Sequence, residues 1–224
     1  AALLAGFAFS FGTVIWETAL QQVIAPDKLA LARGRAQQTG SLAAEAARLA
    51  GGRVSVHAHT RLFELAELIE PAPVGGRLRL AREEDLDLVL AWYHAFGRDA
   101  AEQAGHAALW VEQVTWEDML VRIEGGRVWL WEDATGERVH VTGANPPSFG
   151  VARIGPVYTP KEHRGRGYAS VAVAEVSRRL AAEGTRVCLF TDQANPTSNR
   201  IYLQLGFRPV VDMANLLVGG SAPT

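Results

Sequence analysis

Residues 164–169 read Arg-Gly-Arg-Gly-Tyr-Ala, and this glycine-rich, basic stretch decides the fold around it. It stands between an apolar run, Val151 to Thr159, that predicts a strand, and a stretch, Tyr168 to Glu183, that predicts a helix. Glycines let the backbone turn sharply, and the first N–H groups of a helix, aided by the helix dipole, can bind an anion. Arg164 and Arg166 add full positive charges. The stretch therefore predicts a phosphate-binding turn, with a solvated connection as the plainer alternative.

The next segments extend this unit into a strand, helix, strand arrangement. Arg186 to Asp192 is a short apolar run of the kind found in buried parallel strands, whose ligands bind at the carboxyl ends of the strands. A second helix is predicted after it, with Asn195 as N-cap, Pro196 at the first helical position and Gly206 just past its end. Helical spacing places three of its residues on one face, which can serve a site: Asn195, Asn199 and Tyr202. The pair Ile201 and Leu205 is expected to pack on another face.

The combined pattern resembles the acetyl-CoA-binding half of the GNAT superfamily of N-acetyltransferases. The resemblance rests on the turn Arg164 to Ala169 and on Asn195 to Phe207, which reads Asn-x-x-Ser-Asn-x-x-Tyr and closes with Gly-Phe. It is specific over residues 149–210 and extends back to about Arg77. It implies an α/β fold, a mixed sheet with helices on both faces.

The chain from Arg77 onward supplies the remaining elements of such a fold, so the resemblance implies a GNAT acetyltransferase domain over residues 77–218. Alternating or apolar runs predict strands, and amphipathic stretches predict helices. In chain order these are a strand at Arg77 to Ala81, a helix over Glu83 to Phe96, a second helical region within Asp99 to Ile123, and strands at Val128 to Trp131 and Arg138 to Val141.

Two segments precede this domain. Residues 1–40 open with an apolar run, Ala1 to Trp16, which ends before the roughly 20 residues that a membrane-spanning helix needs. No membrane segment is therefore predicted, and the role of residues 1–40 is left open. Residues 41–76 combine a helix-forming stretch, one or two strands within residues 53–65 and a linker rich in proline and glycine. The resemblance implies that they are the remnant of an N-terminal lobe followed by a linker.

Composition fits an enzyme with one sizeable core and an appendage. The 224 residues are 48% hydrophobic and carry a net charge of -2, which offers no general attraction to nucleic acid. The single cysteine, Cys188, lies in an apolar run and is expected to be a core thiol. No set of metal ligands is predicted. We expect a cytoplasmic protein, and a homodimer stays open.

The resemblance implies an acetyl-CoA-dependent N-acetyltransferase in which an amine attacks the thioester directly. The acceptor would be a small-molecule or peptide amine, and Tyr202 would protonate the departing thiolate as general acid. The residues expected to bind acetyl-CoA are Val157, Tyr158 and Thr159 at the end of the first strand, Arg164, Gly165, Arg166, Gly167, Tyr168, Ala169 and Ser170 in the turn, and Asn195, Ser198 and Asn199 on the second helix. The general base is left open among Glu132, His140, Glu162 and Asp192.

Other function classes fit the same motif less well. Gly165-x-Gly167-x-x-Ser170 approaches the fingerprint of nicotinamide dinucleotide oxidoreductases, but residues 160–164 separate it from its strand and no second set of parallel units follows. A nucleotide hydrolase needs a Gly-Lys-Ser/Thr sequence that the turn lacks. A non-catalytic acyl-CoA-binding lobe would keep the turn but would tolerate loss of Tyr202.

Overall fold

The computed structural model describes residues 53–105 and 114–219. The chain divides into two compact units, Phe63–Pro209 and the smaller one formed by Ala1–Leu62 with Val210–Thr224. Every residue predicted to form the site belongs to the larger unit. The domain limits predicted from the sequence, 1–40, 41–76 and 77–218, stay predictions, and residues 1–52 lie outside the described residues.

The described residues form seven strands and four α-helices. The strands are β1 Arg53–Leu65, β2 Arg77–Leu80, β3 Val128–Glu132, β4 Arg138–Ala144, β5 Val151–Tyr158, β6 Arg186–Asp192 and β7 Phe207–Gly219. The helices are α1 Leu86–Ala104, α2 Trp116–Glu124, α3 Tyr168–Ala182 and α4 Pro196–Gln204. Short 3-10 helices at Glu83–Asp85 and Lys161–His163 precede α1 and α3.

The strands form one mixed sheet in the order β2-β3-β4-β5-β6-β1-β7. Neighbours from β2 to β5 pair antiparallel, whereas β5 and β6 pair parallel. The predicted α/β class with a mixed sheet is therefore confirmed, and so is the parallel pair around α3. Of the two 13-residue strands, only residues 63–65 of β1 and 207–209 of β7 belong to the larger unit.

The helices cover both faces of the sheet in the larger unit. Successive residues of a strand point to opposite faces, and β3 shows the division. Trp129 packs in a core cluster with α3 residues such as Val173 and Leu180, while Leu130 packs with Val89 of α1 and other residues of α1 and α2. Helices on both faces, as expected, are thus confirmed.

Helix α1 is longer than the sequence predicted. The helix was expected over Glu83 to Phe96, but it continues through Gly97 to Ala104 and ends at Gly105, whose φ of 75° is left-handed. A glycine inside a helix costs only about 1 kcal/mol, which packing against the sheet can offset. Of the second predicted helical region, the described residues belong to the end of α1 and to α2, where Thr115 forms a capping box with Asp118, and residues 106–113 lie outside the described residues.

Phe63, at the start of the larger unit, is fully buried in the cluster below α3 and α4. Its ring centroid lies 6.4 Å from that of Tyr202. The backbone N–H groups of Ala66 and Ile69 donate to carbonyls at the end of α4, at 3.2 and 3.0 Å. Residues 63–69 are thus bonded into the unit that carries the predicted site, although the sequence placed them in the preceding segment.

Two further sequence predictions concern the chain as a whole. Cys188 is fully buried on β6, as predicted for a core thiol, and burial raises its pKa to about 12. Within residues 53–105 and 114–219, no helix has both the length and the apolar character required to cross a bilayer.

Candidate active site

A slot opens between β5 and β6 at their carboxyl ends. Their parallel pairing stops at the pair Ile154 and Leu189. Both strands nevertheless continue, β5 to Tyr158 and β6 to Asp192. Because ligands of parallel strands bind at the carboxyl ends, this slot is the natural place for one.

Strand β5 carries a bulge on its other edge, where it pairs with β4. Thr142 of β4 faces Val157, but Ala144 faces Ile154, so β5 carries one residue more than β4 over this interval. Such an extra residue bends the strand that holds it. Gly143 lies at the irregularity, and a side chain there would overlap the Tyr93 hydroxyl. The bulge thus lies on the stretch of β5 that borders the slot.

The basic turn, residues 160–167, joins β5 to α3 and leaves the start of α3 open. Gly165 and Gly167 have φ angles of 77° and 85°, in the left-handed region that favours glycine. Thr115 and Asn195 cap α2 and α4, but among the described residues no side chain caps α3. The first helical bond runs from Val171 N–H to the Gly167 carbonyl. Three N–H groups before it can receive an anion, those of Tyr168, Ala169 and Ser170.

The two arginines of the turn lie in different surroundings. Arg164 Nε donates to the Thr159 carbonyl at 2.9 Å, and its Nη2 donates to Asp99 Oδ2 at 2.6 Å. Arg166 is exposed and donates only a 3.2 Å bond to the Glu162 carbonyl. Of the two predicted phosphate ligands, Arg164 is thus held by protein groups, and Arg166 lies on the surface.

The asparagines predicted on one face of α4 hold the connection from β6 to α4. Asn195 Oδ1 accepts from Ser198 N–H at 3.1 Å, as an N-cap should. Asn199 Nδ2 donates to the carbonyls of Asn195 and Asp192, at 2.7 and 2.9 Å. Its Oδ1 accepts from the Thr191 hydroxyl at 2.7 Å. Contact of these side chains with a cofactor stays a prediction.

Tyr202 lies in the core cluster and not on a separate polar face. Its side chain is 7% exposed, and its ring centroid is 6.4 Å from that of Phe63 and 5.9 Å from that of Phe207. Leu205, predicted on another face, packs in the same cluster. Burial raises the pKa of the Tyr202 phenol, so it keeps its proton at neutral pH. A protonated phenol is the state that a general acid requires.

Comparison with known proteins identifies the fold of this arrangement. Residues 146–215 match the FR47-like protein family. The fold matches an acetyltransferase of the GNAT family from Colwellia psychrerythraea with a TM-score of 0.53 at 14% identity, over 73% of this chain and 56% of that one. The chain has the GNAT fold. The resemblance stated from the sequence is confirmed, and a mixed GNAT sheet is not the parallel sheet that a dinucleotide oxidoreductase of the doubly wound type requires.

Two further GNAT structures agree. The GCN5-related N-acetyltransferase from Sphaerobacter thermophilus has a TM-score of 0.53 at 19% identity, over 80% of this chain and 55% of that one. The one from Kribbella flavida has a TM-score of 0.50 at 20% identity, over 73% and 59%. The chain spans a little over half the length of these three proteins. A search of the curated proteins finds no match.

Two of the four candidate general bases, His140 and Glu132, have hydrogen-bond partners within the protein. His140 is fully buried, and its ring nitrogens each lie 2.7 Å from a threonine hydroxyl, those of Thr159 and Thr142. Burial lowers its pKa to about 3, so it is neutral at pH 7. Glu132 accepts hydrogen bonds from Arg79 and Arg77, which lower its pKa.

The other two candidates lie at the end of β6 and in the basic turn. Asp192 ends β6, and its side chain accepts from Ala194 N–H at 2.8 Å. Glu162 is exposed in the basic turn. The choice of general base between them stays open.

Asp99 and Gln103 of α1 contact this region, although the sequence did not predict them as site residues. Asp99 accepts a 3.1 Å bond from the Tyr158 hydroxyl besides the bond from Arg164, and Gln103 accepts from Asn195 Nδ2 at 3.0 Å. Helical spacing places Asp99 and Gln103 on one face, but nothing in the sequence shows that this face meets the slot.

Proposed function

We propose that the protein is an N-acetyltransferase that transfers the acetyl group of acetyl-CoA to an amine by direct attack. One observation carries this proposal: an uncapped helix N-terminus follows a slot between two parallel strands, in a GNAT fold. The slot suits an extended arm, and the helix start suits phosphate.

The nucleotide end of acetyl-CoA would bind at the basic turn. The N–H groups at the start of α3 would donate to the pyrophosphate, and the helix dipole favours its negative charge. Arg166, exposed beside them, would add a full charge. Backbone groups of residues 157–159 would bind the pantetheine arm, since β5 no longer pairs with β6 there.

In the reaction, the acceptor nitrogen would form a bond to the acetyl carbon, and the bond from that carbon to sulfur would break. A backbone N–H near the end of β5 would stabilise the negative charge on the carbonyl oxygen. Tyr202 would give its proton to the leaving thiolate, and burial keeps that proton in place beforehand. The amine's own proton would leave to solvent or to the general base.

A non-catalytic acyl-CoA-binding lobe is the second candidate. The packing of Tyr202 between Phe63 and Phe207 favours it, because a tyrosine held in a core contributes to stability whether or not it transfers a proton. Turnover separates the two candidates, since both would bind acetyl-CoA.

The acceptor is proposed to be a small-molecule or peptide amine, and the protein is proposed to act in the cytoplasm without nucleic acid. Variable loops set the acceptor in a common fold, so the class must be found by screening. Release of free thiol from acetyl-CoA in the presence of an amine library measures it. Thiol release with any amine supports the enzyme, whereas acetyl-CoA binding without turnover across the library favours the binding lobe.

Cofactor choice is tested first by thermal unfolding with acetyl-CoA, CoA or NADH. Acetyl-CoA and CoA are expected to raise the melting temperature by linkage, and NADH is not. Stabilisation by NADH alone would reject the acyltransferase proposal.

A further inference from the structure

The last turns of α1 meet the proposed acyl-CoA site through three polar side chains. Asp99, Glu102 and Gln103 are spaced i, i+3 and i+4 and therefore share one face of the helix. The three side chains bond to the end of β5 and Arg164 of the basic turn, to the 3-10 helix within that turn, and to the N-cap of α4. The partners are Tyr158 and Arg164 for Asp99, Lys161 for Glu102, and Asn195 for Gln103. Lys161 Nζ also lies 4.0 Å from Asp99 Oδ1.

Of the three contacts, the one that Asp99 makes with Arg164 is expected to contribute the most free energy, because it joins opposite charges with little exposure to solvent. Asp99 and Arg164 have side chains that are 15% and 29% exposed, and the 2.6 Å bond joins two opposite charges. Such charge-assisted bonds contribute most when solvent is largely excluded. Glu102 and Lys161 are 66% and 55% exposed, and a pair of that kind contributes little. Glu102 is thus a matched control on the same face.

Arg164 uses its other contacts to connect α1 with the end of β5. Its Nε bond reaches the carbonyl of Thr159, the residue that follows β5. The guanidinium carbon lies 5.9 Å from the ring centroid of Tyr158, whose hydroxyl bonds to the same Asp99 oxygen. The carboxylate of Asp99 therefore neutralises the charge of Arg164 in the absence of a ligand.

We propose that Asp99 is a positioning residue of the acyl-CoA site. Its carboxylate holds the Arg164 side chain in place, and Arg164 in turn fixes the end of β5 and the basic turn. The N–H groups at the start of α3 then face the ligand. The phosphates then depend on those N–H groups and on Arg166, and not on Arg164. This inference rests on the proposed function, because it concerns the same ligand.

The test compares Asp99→Asn with Glu102→Gln in the full chain. Calorimetry gives the Kd for acetyl-CoA at several salt concentrations, and steady-state assays with the best acceptor give KM and kcat. For Asp99→Asn we expect Kd and KM to rise about tenfold, the equivalent of one lost charge-assisted bond, with kcat changed less than about twofold. For Glu102→Gln we expect each constant to change less than about twofold.

A double-mutant cycle tests whether Asp99 and Arg164 are energetically coupled. If Asp99 and Arg164 act as a unit, Asp99→Asn combined with Arg164→Gln weakens binding no more than either change alone. Arg166→Gln should instead add to Asp99→Asn and should reduce the salt dependence of Kd, because it removes a phosphate charge.

Several results would overturn the inference. If Arg164 is a phosphate ligand that Asp99 restrains, Asp99→Asn would bind acetyl-CoA more tightly and with a steeper salt dependence. Unchanged affinity in Asp99→Asn also rejects the positioning role and leaves the proposed function intact. A wild-type protein without affinity for acetyl-CoA rejects the proposed function and the inference together.

Tyr158→Phe gives a second measurement if Asp99→Asn does not fold. It removes one bond to Asp99 and leaves both charges in place. We expect a rise in Kd of about threefold, in the same direction. Wild-type affinity in Tyr158→Phe, with Asp99→Asn unfolded, would count against the inference.

Discussion

Replacement of Gly167 by alanine tests whether the basic turn depends on this glycine and why. Gly167 is the N-cap of α3 and has a φ of 85°. A non-glycine residue in the left-handed region costs about 1–2 kcal/mol. The added Cβ would also lie 2.9 Å from Cγ2 of Val74, a distance that requires Val74 to move. A shift of that side chain off its rotamer adds about 0.5–1.5 kcal/mol.

Gly165→Ala is the matched control for this change. Gly165 has a φ of 77°, and apart from its two chain neighbours no described residue has an atom within 4 Å of the position of an added Cβ. It should therefore show the backbone cost alone. Urea denaturation of both variants should place Gly167→Ala below Gly165→Ala by about 0.5–1.5 kcal/mol, the share that comes from Val74.

The direction of the Cβ also changes the expected effect on the ligand. The structure places a side chain added at Gly167 against Val74, so it would act on the ligand through displacement of the turn. Gly167→Ala should weaken acetyl-CoA binding about tenfold through displacement of the turn, and Val74→Ala in the same chain should restore most of the affinity by calorimetry. If the double variant binds as weakly as Gly167→Ala, the Val74 explanation is wrong. Wild-type affinity in Gly167→Ala would mean that the turn is an ordinary connection.

Three further predictions concern Tyr202, Phe63 and His140. Tyr202→Phe should lower turnover by about a hundredfold or more while the Kd for acetyl-CoA stays unchanged. Equal loss of both would show a structural tyrosine, and unchanged turnover would assign the acid elsewhere. Phe63→Ala should reduce the free energy of unfolding in urea by about 3–5 kcal/mol, because it empties a fully buried site, and a loss below about 1 kcal/mol would contradict its place in the core. The His140 pKa of about 3 lies below its ordinary value, so the unfolded state gains a proton first as the pH falls below about 6.5. Between pH 7 and pH 5 the wild type should lose about 2 kcal/mol more unfolding free energy than His140→Gln, the contribution of this one group; equal losses would place the titration elsewhere.

The local elements of the site were predictable because their signals lie within a few residues of chain. Asn195 and Pro196 predict the start of α4 by capping and by a fixed φ, and the helix does begin at Pro196. The apolar run from Arg186 to Asp192 matches β6 residue for residue. The glycine turn before Tyr168 predicts the start of α3 for the same local reason, since only glycine adopts left-handed φ at little cost.

Which residues of these local elements contact one another is determined by the tertiary structure. Arg164 bonds to Asp99, which lies 65 residues earlier in the chain. Tyr202 packs against Phe63, and Phe63 lies in a segment that the sequence placed outside the domain. The register shift between β4 and β5, beside the slot, depends on the pairing of two strands, which no single segment encodes. A side chain such as that of Arg164 can pair with a ligand or with a carboxylate of the protein, and its own sequence is the same in both cases. Only the packing of α1 against β5 brings Asp99 Oδ2 within 2.6 Å of Arg164 Nη2.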